Sequence, residues 1–140
     1  MSPAPDHVAW SWPAEVHSVS AARHAVVDWL RTCGTSDPPL SDVALVVSEA
    51  VTNAVNHAFV GRDPGEVHVR LTLEASEFVL VVEDDGNGLR PRHDSPGLGY
   101  GLALMVAVSK RFEAQTVDGS GTRVSAWFSR EWTDAPLPLA

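Results

Sequence analysis

Ser48-Glu49-Ala50-Val51-Thr52-Asn53-Ala54-Val55-Asn56-His57-Ala58 sets a carboxylate, an amide and an imidazole four residues apart in an otherwise apolar run. On an α-helix, Glu49, Asn53 and His57 stack within about 80° of arc. Asp42, Thr52 and Asn56 fall near the same side, whereas Val43, Val47, Ala50, Val51, Ala54 and Ala58 form an opposite stripe suited to packing on a sheet or on other helices. Leu45 and Val46 read closer to the polar side. A solvated helix face is usually rich in Lys, Arg and Glu, and this one offers a carboxylate, short amides and an imidazole. The stretch predicts one helix with a core face and a chemical face, and taken alone it leaves an ordinary surface face as the alternative.

Working outward, the chain alternates between helical and extended patterns. Val8-Ala9-Trp10-Ser11-Trp12 alternates as a strand stopped by Pro13, and Val16, Val19, Val26, Val27 and Leu30 recur at helical spacing from Ala14 to Thr32, with Gly34 as terminator. Pro38-Pro39 breaks the chain before Ser41, which reads as the cap of the polar-faced helix. Two strands follow, Glu66 to Leu73 and Phe78 to Glu83, as an antiparallel pair with the second one central. A third helix is predicted from about Gly101 to Ser109, then strands from Phe112 to Val117 and Thr122 to Ser129 around Asp118-Gly119-Ser120-Gly121.

Glycine is concentrated where these elements meet. Asp84 closes a buried strand and is followed by Gly86 and Gly88, a place where the backbone bends sharply or lets a flat ligand approach closely. A strand-end aspartate can accept a hydrogen bond from an exocyclic amine such as that of adenine. An ordinary Asp-Gly turn has the same sequence. Gly97, Gly99 and Gly101 precede the predicted third helix, whose first turn would offer free N–H groups and a positive dipole end to phosphate oxygens. No Gly-Lys-Ser/Thr follows, so this is not a Walker loop, and no strand leads into it as a dinucleotide fingerprint requires.

Composition bounds the partners. With 140 residues, 44% hydrophobic and 20% charged, the chain has the size and balance of one globular domain. A formal net charge of -8 argues against direct nucleic-acid binding, which rests on clustered Lys and Arg. No run approaches the roughly 20 apolar residues of a membrane span, and no signal segment opens the chain. Cys33 is the single cysteine, so no internal disulfide forms and a reducing cytoplasm is the expected location.

In order and spacing, these segments together resemble those of the GHKL, or Bergerat-fold, ATPases. The N box of that superfamily matches Glu49 and Asn53, with His57 a turn further on; its DxGxG box matches Asp84, Gly86 and Gly88. Its second glycine box matches Gly97, Gly99 and Gly101, with Leu102 following, and its late Gly-Thr element matches Gly121-Thr122. The resemblance runs from the first helix to the last strand. It implies an α+β, two-layer α/β sandwich with a mixed, mostly antiparallel sheet and helices on one face, formed by residues 1–132 as a single histidine-kinase-like ATPase domain, with residues 133–140 as a loose tail.

The same resemblance implies ATP and Mg2+ as cofactors. Asp84 would accept the adenine amino group, with Thr122 helping through its hydroxyl and an ordered water; Asn53 would hold Mg2+; Glu49 would orient or deprotonate the attacking hydroxyl. His57, Gly86, Gly88, Gly97, Gly99, Gly101 and Leu102 would complete the nucleotide site. Residues from about Leu89 to Pro96 would form the lid, where Arg90, Arg92 and His93 are either phosphate contacts or a solvated loop. With no room for a phosphoacceptor helix ahead and only a short tail behind, the chain looks most like the bacterial anti-sigma-factor serine/threonine kinases. Those bind a sigma factor and phosphorylate an anti-anti-sigma protein. A nucleotide-dependent sensor module without significant phosphotransfer is the alternative. The resemblance allows a homodimer, with Trp10 and Trp12 as either its contact or core residues, and the sequence leaves the oligomeric state open.

Overall fold

Val67, Val69 and Leu71 of β2 (Glu66–Leu73), and Phe78, Leu80 and Val82 of β3 (Glu77–Asp84), are buried at every second position. A strand sends alternate side chains to opposite faces, so these two strands share one core-facing row. The computed structural model describes residues 6–58, 63, 65–86, 96–117 and 121–130, leaving aside the side chains of 57, 58, 96–100 and 117. With β1 (His7–Pro13), β4 (Arg111–Val117) and β5 (Gly121–Ser129) the strands form a five-stranded sheet in the order β1-β2-β3-β5-β4. The expected mixed sheet is antiparallel at every pairing among the described strands, with β3 central as anticipated. The molecule is an α+β sandwich, its helices packed together over one face of the sheet.

The register extends the core row across the sheet. Phe78 pairs with Phe128 and their rings stack at 5.1 Å, while Val82 pairs with Val124 and Leu80 with Ala126. Trp10 and Trp12 oppose Val69 and Val67, so they lie on this same face, stack at 6.0 Å and pack against the core. The other face is polar: Ser11 meets His68 at 2.7 Å, Glu83 receives Arg123 at 2.9 Å and Arg70 at 3.6 Å, and Arg111 lies over the Trp127 ring at 4.3 Å. Large side chains buried in the core contribute about 1.5–3 kcal/mol each, against about 0–1 kcal/mol for a partly exposed ion pair. The core row therefore holds the sheet, and the charged face tunes its register.

The helices start and stop for local reasons. Helix α1 (Val16–Thr32) buries Ala22, Val26 and Leu30 at four-residue intervals. It ends where Gly34 takes φ +89°, with Thr35 N–H donating to Leu30 O and Gly34 N–H to Arg31 O at 3.0 Å each. That paired bonding is the Schellman stop, and it needs a residue at ease with positive φ. Helix α2 (Pro39–Asn53) begins at Pro39, whose fixed φ suits a first helical position. Ser41, expected as the cap, is inside the helix; the Asp37 carboxylate caps it by accepting from Ser41 N at 3.1 Å and Ser41 Oγ at 2.7 Å.

Helix α2 contacts α1 on one flank and α3 (Pro96–Val108) on the other while resting on β3 and β5. Flanked on both sides, it buries a wider arc than one stripe, and Val46, read from periodicity as near the polar side, is fully buried with Val43, Val47 and Val51. The third helix starts at Pro96, so Gly97, Gly99 and Gly101 lie within it and do not precede it. Each interior glycine costs a helix about 1 kcal/mol, which is why the sequence alone places the start later. Pro96 at the first position and Met105, fully buried, favour the longer helix. No described helix is long and apolar enough to cross a membrane.

If Asp37 is the operative cap, Asp37→Ala should cost about 1 kcal/mol in thermal or urea denaturation, and Ser41→Ala should cost less because the backbone donor remains. The reverse ranking would return the cap to Ser41.

Candidate functional site

Asp84 sits at the end of the row Phe78, Leu80, Val82, so alternation turns it to the helix-covered face at the edge of the core. Its cross-strand partner on β5 is Thr122, which is only 8% exposed. One acidic acceptor and one hydroxyl are thus neighbours where the apolar core runs out. Gly86 is buried and donates its N–H to Asp84 Oδ1 at 2.9 Å, which orients one carboxylate oxygen and forms the Asp-Gly turn that the sequence also allowed. Gly121 precedes Thr122 with φ +117°, and a β-carbon there would overlap the Asp84 carbonyl oxygen. Only glycine fits this crossing. The necessity of Gly121 is not visible in the sequence, because it arises from a partner 37 residues away in the chain.

The second group lies between α2 and α3. Glu49 and Asn53 stand one turn apart on α2, both half-buried, and buried Gly101 of α3 faces them. A β-carbon on Gly101 would lie 2.9 Å from Glu49 Oε2, 3.6 Å from Asn53 Nδ2 and 3.8 Å from Asn53 Oδ1. Helix α3 therefore crosses the carboxylate and the amide with bare backbone. One turn earlier in α3, Gly97, Leu98 and Gly99 hold N–H groups with no partner within the helix, since Pro96 has no N–H. The expected glycine loop is replaced by the first turn of the helix itself, which presents the same unpaired donors and positive dipole end.

Asn53 is the last α-helical residue of its segment. Ala54–Ala58 continues as a π-helical turn, so the four-residue repeat through Glu49 and Asn53 does not extend to His57 in α-geometry. The His57 side chain lies outside the described residues, as do Gly88 and the lid residues Arg90, Arg92 and His93. Leu102 is half-buried and packed against the core. Arg23 of α1, which the sequence did not single out, donates from Nη1 to Ser48 Oγ at 3.2 Å, and Ser48 Oγ donates to the Ala44 carbonyl at 2.8 Å. This link ties α1 to α2 one residue before Glu49.

Chemically, the groups divide the work. Asp84 and Thr122 suit an amine and a neighbouring polar atom on a flat ligand, and the α3 N-terminus suits an anion. No described cluster of three or more His, Cys, Asp or Glu could hold a metal by itself. A hard cation that keeps waters and takes most of its ligands from phosphates needs only one or two protein oxygens. Asn53 Oδ1, with the Glu49 carboxylate beside it and bare backbone opposite, fits that demand.

Residues 12–128 match the model of the histidine kinase-like ATPase domain family. Among curated proteins, the chain is 28% identical over 116 residues to an anti-sigma F factor of Clostridium novyi (strain NT), covering 75% of this chain and 81% of that one. It is 27% identical over 149 aligned residues to the serine-protein kinase RsbW of Bacillus licheniformis, covering 96% and 93%. A third relative, the serine-protein kinase RsbW of Listeria monocytogenes serotype 4a (strain HCC23), is 33% identical over 81 residues, covering 58% and 52%.

The two glycines should respond differently to alanine. At Gly101 the obstacle is the far end of the flexible Glu49 side chain, so Gly101→Ala should fold with near-normal stability while shifting the Asn53 side-chain amide resonances. At Gly121 both positive φ and backbone stand in the way, so Gly121→Ala should lose about 1–3 kcal/mol or more on denaturation. Equal losses at the two positions would contradict this geometry.

Proposed function

The chain belongs to the histidine kinase-like ATPase domain family, and from that premise we propose that it is an ATP-binding anti-sigma-factor serine/threonine kinase. Its partners are then a sigma factor, which it sequesters, and an anti-anti-sigma protein, whose serine or threonine it phosphorylates. The names of the relatives, an anti-sigma factor and serine-protein kinases, support the partner class. The observation that carries the chemistry is the bare Gly101 backbone against Glu49 and Asn53, on the same face of the sheet as Asp84 and Thr122.

In this reading Asp84 accepts from the adenine amino group through its carboxylate, which Gly86 N–H helps to orient, and Thr122 assists with its hydroxyl. The N–H groups at the start of α3 receive phosphate oxygens. Asn53 Oδ1 would hold Mg2+, which would supply positive charge to the phosphates in a protein of net charge -8. Glu49 takes the proton of the attacking hydroxyl as the new O–P bond forms at the γ-phosphorus. The bond from that phosphorus to the β,γ-bridging oxygen breaks, and ADP leaves. A Gly101 side chain would crowd the base, whereas glycine leaves space for the acceptor hydroxyl.

Two substitutions separate binding from chemistry. Asp84→Asn should turn an acceptor into a potential donor facing the adenine amine and weaken ATP binding roughly ten- to a hundredfold by calorimetry. Guanine nucleotides should bind poorly to the unmodified protein. Glu49→Ala should keep nucleotide and sigma-factor affinity near the original while phosphotransfer to the anti-anti-sigma protein falls by roughly 10²–10⁴-fold. If the unmodified protein transfers no phosphate to any cognate acceptor, yet nucleotide alters partner affinity, the kinase reading falls and a nucleotide-sensing module takes its place.

A further inference from the structure

At the opposite end of the sheet from Asp84 and Thr122, about six residues or 20 Å along the strands, a cavity of about 290 Å³ opens where α2 begins and α3 ends. Pro38, Pro39, Val108 and Phe128 supply apolar walls, and Asp42 supplies a carboxylate. The N–H groups on the α2 side are committed: Leu40 N donates to Ser36 O at 3.4 Å, Ser41 N to Asp37 Oδ1 at 3.1 Å and Asp42 N to Pro38 O at 3.1 Å. On the α3 side, Ser109 Oγ donates to Met105 O at 2.6 Å and Lys110 N to Trp127 O at 2.8 Å. The Lys110 ammonium also lines the cavity, but it is engaged 3.3 Å from Glu77.

Acceptors remain on both sides. No described group donates a hydrogen bond to the Asp42 carboxylate. Burial, and secondarily the charge of Asp37, lifts the Asp42 carboxyl above its usual pKa, as happens to a carboxylate short of donors. Helix α3 ends at Val108 with no basic residue in its last turn, so the negative end of its dipole has no cation of its own. An anion would meet Asp42 and Asp37 and is excluded. A positively charged N–H donor on an apolar body suits all three features: the carboxylate, the helix end and the walls, with the Phe128 ring among them. A cavity of about 150 Å³ is enough to bind benzene, so this one has room for a single ring with a short aminoalkyl arm.

We propose that this cavity is a binding site for a small organic ammonium, a primary amine on a ring-sized apolar body. The ammonium group sits between the Asp42 carboxylate and the C-terminal end of α3, and the ring lies among Pro38, Pro39, Val108 and Phe128. Seated there, the ligand joins β5 to the start of α2 and the end of α3. Those are the two helices that carry Glu49, Asn53 and Gly101 toward their other ends.

The test titrates the full chain, labelled with ¹⁵N, with phenethylamine, which is protonated at neutral pH. Phenethyl alcohol and phenylacetate, of similar shape but neutral and negative, are added at the same concentrations. Expected is a saturable shift of the Asp42, Ser109, Lys110 and Ser129 backbone amides by the amine, with those of Gly86, Gly101 and Thr122 unmoved. Nuclear Overhauser contacts should join the amine's ring protons to the Val108 and Phe128 side chains. The amine should bind about tenfold or more tightly than the alcohol, and Asp42→Asn, which keeps the shape, should remove that advantage while leaving the alcohol's affinity unchanged. The proposal is overturned if the amine moves none of the cavity amides, or moves them without contacts to Val108 and Phe128. It is equally overturned if phenethyl alcohol or phenylacetate binds as tightly as the amine, or if Asp42→Asn binds the amine as well as the unmodified chain.

Discussion

The backbone of Gly101 passes so close to the α2 side chains that a β-carbon would lie 2.9 Å from Glu49 Oε2, and this approach decides where the carboxylate can sit. A side chain at that point would turn the Glu49 carboxylate aside. With glycine, the carboxylate and amide keep their places beside bare backbone, and the free N–H groups of the α3 first turn follow one turn earlier. Packing and site geometry are therefore one constraint at this contact.

The sheet contributes by a different rule. Alternation sends Phe78, Leu80, Val82 and Asp84 to one face, so the strand that builds the core also delivers an acidic acceptor to its edge. Thr122 arrives opposite Asp84 through strand register, and Gly121 lets β5 start close against the Asp84 backbone. On the reverse face Glu83 and Arg123, each one residue away, pair at 2.9 Å and hold the same register from behind. No buried side-chain polar atom among the described residues lacks a hydrogen-bond partner, so Asp84 and Thr122 are placed without a desolvation debt nearby.

The functional reading follows this division between sheet and helices. In the proposed reading, Asp84 at the end of the sheet takes the adenine amine, the first turn of α3 takes phosphate and Glu49 takes the proton of the acceptor hydroxyl. Relatives at 27–33% identity carry both kinase and anti-sigma names. Identity at that level supports the class of reaction and partner proposed for this chain.

The sequence alone was enough to place the strands and to reveal the family resemblance, because both depend on neighbours a few residues apart. Alternation from Glu66 to Leu73 matches β2 residue for residue, and the buried stripe Val43, Val47, Ala50, Val51 follows from helical spacing. Glycine and acidic residues in a fixed order made the nucleotide-site resemblance legible. Tertiary structure decided the rest. Val46 is buried because α2 has helices on both flanks, Trp10 and Trp12 face the core because β1 registers on β2, and α3 reaches back to Pro96 despite three glycines. Asp37 caps α2 because Pro39 starts the helix two residues before Ser41. The nearness of Gly101 to Glu49 and of Gly121 to Asp84 joins residues tens of positions apart, and no local pattern encodes a distance that only packed helices and paired strands create.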